Sequence, residues 1–213
     1  MIRNILMPGF IILLSLPCQA QEMSDIFDRK TKITWVGIDF TGAKLIGDRE
    51  RFGSHEDVKN LMISWNELML KEPEKFDMGL AIDKIRVADD FSITDDHNAD
   101  LNIGELFSTS EGDYFHLRPN DIIEIVDNYD FKGKTGIGVM INVESFSKLK
   151  KEGCAWVTFV DMARKEVFFS ERVTGEPGGA GLRNYWGNAI YDMMKAMRKK
   201  EFEMWRKKYY RKF

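Results

Sequence analysis

Gly175-Glu176-Pro177-Gly178-Gly179-Ala180-Gly181 leads straight into Leu182-Arg183-Asn184, and this junction is the strongest local candidate for chemistry. A strand that feeds a glycine-rich turn and then a helix start can present backbone N–H groups to an anion. The spacing matches neither familiar phosphate pattern. There is no GxGxxG, and no Lys-Ser or Lys-Thr follows the glycines as a P-loop requires. The candidate ligand residues are therefore Gly178, Gly179, Gly181, Arg183 and Asn184. The competing reading is a sharp turn, in which the glycines serve the backbone and bring Tyr185 and Trp186 close to a sheet.

Acid–base chemistry needs paired carboxylates, and Asp39, Glu144 and Asp161 each fall at the end of a strand-like run. Such groups can converge in a cleft, although aspartate is also common where strands become turns. Asp96, Asn98 and Asp100 match the first ligand positions of a calcium loop. Leu101 then stands where glycine is required, and Phe107 where the closing glutamate should be, so a solvated acidic loop is the expectation. His55, His97 and His116 share no metal-ligand spacing, and Cys154 in Gly153-Cys154-Ala155-Trp156-Val157 reads as a buried, inert thiol. These residues give no catalytic set and call for no metal or cofactor.

The last stretch joins cations to aromatics. Lys195 to Phe213 contains nine basic and two acidic residues, whereas the whole chain has 31 Lys+Arg against 34 Asp+Glu. An acidic body with a basic tail argues against nucleic acid as the partner, because that function needs positive charge across a folded face. Trp205, Arg206, Lys207, Lys208, Tyr209 and Tyr210 are candidate contacts for an acidic protein partner in the cell envelope or for an anionic membrane surface. Basic residues near a helix C-terminus also stabilise the helix itself.

Location comes from the first twenty residues. Arg3 precedes an apolar run from Ile5 to Leu16, and Pro17-Cys18-Gln19-Ala20 offers a small residue at a cut site. That order reads as a secretory signal peptide, and the run is short of the roughly 20 apolar residues a membrane span needs. Lipid attachment at Cys18 is the alternative, with Pro17 a poor match to the residue expected there. The chain is thus expected to be exported, periplasmic or extracellular, with membrane association as the alternative. A cut after Ala20 leaves Cys154 as the one remaining thiol.

These residues must be positioned by a single α/β domain over 33–213, after a leader at 1–20 and a polar, flexible lead-in at 21–32. Ile33 to Phe40 reads as the first strand. Ser54-His55-Glu56-Asp57 reads as a capping box before a helix whose Val58, Leu61, Met62, Trp65, Leu68 and Met69 form one stripe. Ile85 to Ala88 is a short strand, and an irregular acidic stretch follows to about Gly112. Pro119 opens a second helix. Gly136 to Glu144 alternates Ile137, Val139, Ile141 and Val143, Cys154 to Asp161 is apolar on both faces, and Glu166 to Val173 closes an antiparallel hairpin. A long helix starts near Leu182. The expected architecture is a mixed sheet of about five strands packed by two to three helices.

Four blocks carry a resemblance: Trp35-Val36-Gly37-Ile38-Asp39-Phe40, Val143-Glu144-Ser145-Phe146, Trp156-Val157-Thr158-Phe159-Val160-Asp161 and Gly178-Gly179-Ala180-Gly181-Leu182-Arg183-Asn184-Tyr185-Trp186. Together they resemble an uncharacterised family of small exported bacterial proteins, which implies location and no mechanism. At the level of fold, the strand–turn–strand, glycine link and helix are similar to curli-assembly-type envelope lipoproteins and to the N-terminal domain of TolB. Those are assembly or interaction modules, so the implied role is a non-enzymatic interaction protein of the envelope. A small-anion binder using the glycine link, or a hydrolase using the strand-end carboxylates, are the alternatives.

Overall fold

The computed structural model describes residues 21–210, so the expected leader, Cys18 and the last three residues lie outside the described residues. In chain order the elements are α1 (Met23–Phe27), β1 (Ile33–Asp39), β2 (Lys44–Ile46), α2 (His55–Lys71), α3 (Met78–Ala81), β3 (Val87–Asp89), α4 (Ser92–Ala99), β4 (Phe107–Ser108), α5 (Pro119–Asp127), β5 (Ile137–Ser147), β6 (Glu152–Asp161), β7 (Glu166–Gly175), α6 (Leu182–Ala196) and α7 (Phe202–Tyr209). The α/β class holds, with more helices than expected, several of them one or two turns long.

One mixed sheet organises the chain. β5 is its spine: β6 pairs antiparallel along one edge, and β7 pairs antiparallel with β6 as the expected hairpin. On the other edge β1 runs parallel to the first half of β5, from Ile33 opposite Ile137 to Asp39 opposite Asn142. β2 then continues beside the second half, from Lys44 opposite Ser145 to Ile46 opposite Ser147. β3 flanks β1 and β4 flanks β2, both parallel. Seven strand segments therefore occupy five positions across the sheet.

The alternation of Ile137, Val139, Ile141 and Val143 faces the main core, where Trp65, Leu68, Trp186, Ile190 and Met193 of α2 and α6 are buried. A bulge at Val143/Ser145 leaves Glu144 unpaired and returns Phe146 to that same core. The opposite face packs Met140, Val160 and Val36 under Val126 and Tyr129. Two expectations change here. The lead-in at 21–32 is anchored, because α1 buries Ile26 and Phe27 in the main core. The acidic stretch contains the helix α4, which packs on β1 so closely that a Cβ at Gly37 would sit 2.6 Å from Thr94 Oγ1. Gly37 also needs its φ of 103° at the bulge in β1, a backbone region that glycine occupies without strain.

Candidate functional site

The glycine link is built by close approach of helix to strand. A Cβ at Gly175 would lie 2.1 Å from the Ala189 carbonyl oxygen, so only glycine lets α6 rest on the end of β7. Gly179 and Gly181 take φ values of 92° and 77°. Gly178 N–H donates to the Tyr185 carbonyl at 3.0 Å, and Tyr185 N–H donates to the Gly181 carbonyl at 2.9 Å. Trp65 Nε1 donates to the Arg183 carbonyl at 2.9 Å, tying the helix start to α2. No side chain caps α6 at Gly181, so the first N–H groups of the helix keep their capacity for an acceptor.

Two surface hollows flank this helix start. One, of about 530 Å³, runs from Asn60, Leu61 and Ser64 to Arg183 and Asn184 and includes Asp57. Hydrogen bonds from the Ser54 hydroxyl and backbone hold the Asp57 carboxyl below its ordinary pKa, so this hollow carries one anion as well as the Arg183 cation. The other, of about 470 Å³, is lined by Arg51, Lys148, Lys151, Gly179, Gly181 and Tyr185, with no carboxylate among its lining residues. Lys148 Nζ donates to the Arg51 carbonyl at 2.6 Å and lies 5.1 Å above the Phe52 ring. Burial and the charge of Arg51 push the Lys148 pKa down. Arg51 pairs with Asp48 at 3.3 Å, in the open, where both side chains are more than half exposed.

The two hollows divide the expected ligand residues. Gly179 and Gly181 border the cationic hollow, Arg183 and Asn184 face the Asp57 side, and Gly178 lies under Asn188. Arg51, Lys148 and Lys151 escaped the sequence reading. The one sequence signal for two of them is the cationic turn Lys148-Leu149-Lys150-Lys151 between β5 and β6.

The C-terminal set divides, with Trp205 and Tyr209 packed against the sheet and Lys207, Lys208 and Tyr210 exposed. Trp205 is buried, with its ring 6.0 Å from Phe169. Tyr209 stacks on Phe169 at 4.4 Å and its hydroxyl donates to Glu171 at 2.5 Å. Lys208 reaches the same carboxylate, which raises the Lys208 pKa, and Arg206 bridges Asp83 and Glu203 at 3.2 and 2.7 Å. Lys207, Lys208 and Tyr210 are the members of the set left exposed, Lys208 with its charge paired to Glu171.

Each strand-end carboxylate is engaged by its own set of donors. Asp39 accepts from Thr41 N–H, the Thr41 hydroxyl and Asn142 Nδ2. Glu144 accepts from Leu117 N–H, Trp156 Nε1 and Arg172, with Cys154 Sγ at 3.3 Å. Asp161 caps the β6–β7 turn through Ala163 and Arg164 N–H. Burial pushes the Cys154 thiol far up, away from thiolate. The calcium-loop match is a helix whose Asn98 is buried, with Nδ2 donating to the Ile38 carbonyl and Oδ1 accepting from Phe40 N–H. His55 meets Arg49, His97 stacks on Tyr129 at 4.1 Å, and His116 bridges the Asp113 and Gly42 carbonyls, three separate places.

No family model, curated protein or solved structure matches this chain. Function must be argued from the site.

Proposed function

We propose that this chain is an exported, non-enzymatic binding module of the cell envelope that holds an anionic group in the Arg51–Lys148–Lys151 hollow. The observation that carries this reading is three cations around the uncapped start of α6, with Gly179 and Gly181 between them. The glycines let a ligand oxygen approach the backbone, and the helix start adds a positive partial charge. Clustered like charges raise each other's energy, and an anion relieves this. The saturated bonding of Asp39, Glu144 and Asp161 weighs against the hydrolase alternative. Export rests on the leader-like order of residues 1–20, and the anion would be presented by an envelope partner.

Titration calorimetry with inorganic phosphate and with citrate tests the reading. Lys148→Gln with Lys151→Gln should weaken binding about tenfold or more, at about 1 kcal/mol for each near-surface cation, without lowering the melting temperature. Absence of binding by the unaltered chain at millimolar anion would overturn it.

A further inference from the structure

We infer that the pole of the molecule where α1 meets the end of α7 is a docking surface for an anionic lipid bilayer, independent of the anion hollow. α6, the π-helical turn Met197–Glu201 and α7 form one unbroken helical run. At 1.5 Å per residue it places Tyr210 roughly 40 Å from the hollow beside Gly181.

At this pole the start and the end of the described chain come together, since the Phe27 and Tyr210 rings lie 6.0 Å apart. They share a hollow of about 440 Å³ with Arg29, Lys30 and Ile85. Ile85 is 62% exposed, and Tyr210 is 37% exposed. Ile85 is held at the surface by its N–H, which donates to the Arg29 carbonyl at 3.0 Å. An aliphatic and an amphipathic aromatic side chain, both exposed beside Lys30 and the Asp83-paired Arg29, make the pattern of an interfacial contact. The one carboxylate of the hollow, Asp28, accepts from Thr31 Oγ1 and from Lys30 N–H, leaving the exposed Lys30 at the rim.

The occupant follows from where the leader joins. Residues 1–20 read as a membrane-targeting segment, and Ile26 and Phe27 are already buried. The eight Cα-to-Cα steps from Cys18 to Ile26 reach at most about 28 Å when extended. A lipidated Cys18, the alternative to a cut after Ala20, would tether the chain to the bilayer with this pole foremost. The membrane contact therefore falls on Arg29, Lys30, Ile85 and Tyr210, and not on Trp205 and Tyr209, which are committed to the core.

Hydrogen exchange on the full chain, with its N-terminus as processed, tests this against vesicles of phosphatidylglycerol with phosphatidylcholine and against phosphatidylcholine alone. Amides at 28–31, 84–86 and 206–210 should gain protection on the anionic vesicles only, while those at 148–151 and 179–185 stay unchanged. Ile85→Ser with Tyr210→Ser should cut vesicle partitioning about tenfold with an unchanged melting temperature, and Lys30→Glu should reduce it on the anionic vesicles. No protection, protection at 148–151 instead, or undiminished partitioning of the double variant would overturn the inference. Phosphate binding in the hollow is a separate measurement, so either idea can fail alone.

Discussion

Arg172 grips Glu144 with two nitrogens, Nε to Oε2 at 2.7 Å and Nη2 to Oε1 at 3.0 Å, and the Glu144 side chain has no exposed surface. The same guanidinium lies 4.5 Å over both the Phe115 and Trp156 rings. The bulge that leaves Glu144 unpaired on β5 turns this carboxylate toward β7, where Arg172 can meet it. The pair fastens the loop before α5 as well, since Leu117 N–H donates to Glu144 and Arg172 Nη2 donates to the Leu117 carbonyl.

Glu144→Gln should therefore destabilise the domain by about 2–3 kcal/mol in urea denaturation. A fully buried pair loses more when one partner is removed, but the Arg172 side chain keeps 32% of its surface in water and can rehydrate. Arg172→Lys should cost less, about 1–2 kcal/mol, because it keeps the charge and loses the planar two-point contact. Equal stability of Glu144→Gln and the unaltered chain would remove the pair from the structural account.

Lys84 gives a pH signature of opposite sign to a salt bridge. Its Nζ caps the carbonyls of Asp25 and Asp28, and burial pulls its pKa from the ordinary 10.5 to about 8. Below about pH 8 both folded and unfolded chains carry the proton, and the burial penalty is full. Between about 8 and 10.5 the folded chain has released a proton that the unfolded chain still holds, so stability rises with pH. The gain is at most about 3.5 kcal/mol, at about 1.4 kcal/mol per pH unit. Urea midpoints across this window should climb in the unaltered chain relative to Lys84→Met, and parallel pH profiles would contradict the assignment.

Asn98 and Asn66 supply side-chain amides to the backbone of β1 where no neighbouring strand does. Asn66 Oδ1 accepts from Ile38 N–H at 2.8 Å, and Asn98 Oδ1 accepts from Phe40 N–H at 2.9 Å. Asn98→Ala should cost about 2–3 kcal/mol, because it strands a buried donor. Asp96→Ala, on the exposed side of the same helix, should cost less than about 1 kcal/mol for its ion pair with Lys132. Calcium should leave both melting temperatures unchanged; a calcium-dependent rise lost in Asp96→Ala would restore the metal reading.

These amides also explain why the sequence was only partly legible. The β5 alternation, the β6 apolar run and the stripes of α2 and α6 follow from burial periodicity, so strands and helices with a clear inward face could be read directly. α4 could not, because of its three buried residues only Ile93 is apolar, while Thr94 and Asn98 are polar and serve the β1 backbone. β2 and β4 are too short to show a period, and α1 buries only two residues. The glycine link was legible from composition. The cations beside it were not, since Arg51 meets Lys148 across 97 positions of chain.

Lys148 should make anion binding pH-dependent in a way that identifies the hollow. Burial and Arg51 lower its pKa in the free chain, and a bound divalent anion pushes that pKa back up. Binding must then take up protons in the interval between the two values, and affinity must fall as pH rises through the lower one. Sulfate is the suitable probe, because it does not titrate near neutral or alkaline pH. Calorimetry in buffers of different ionisation enthalpy should show net proton uptake with the unaltered chain. Lys148→Arg keeps its charge throughout, so it should bind sulfate without proton uptake over the same range. Identical proton uptake in the two chains would place the anion away from Lys148, and with it away from the glycine-flanked start of α6.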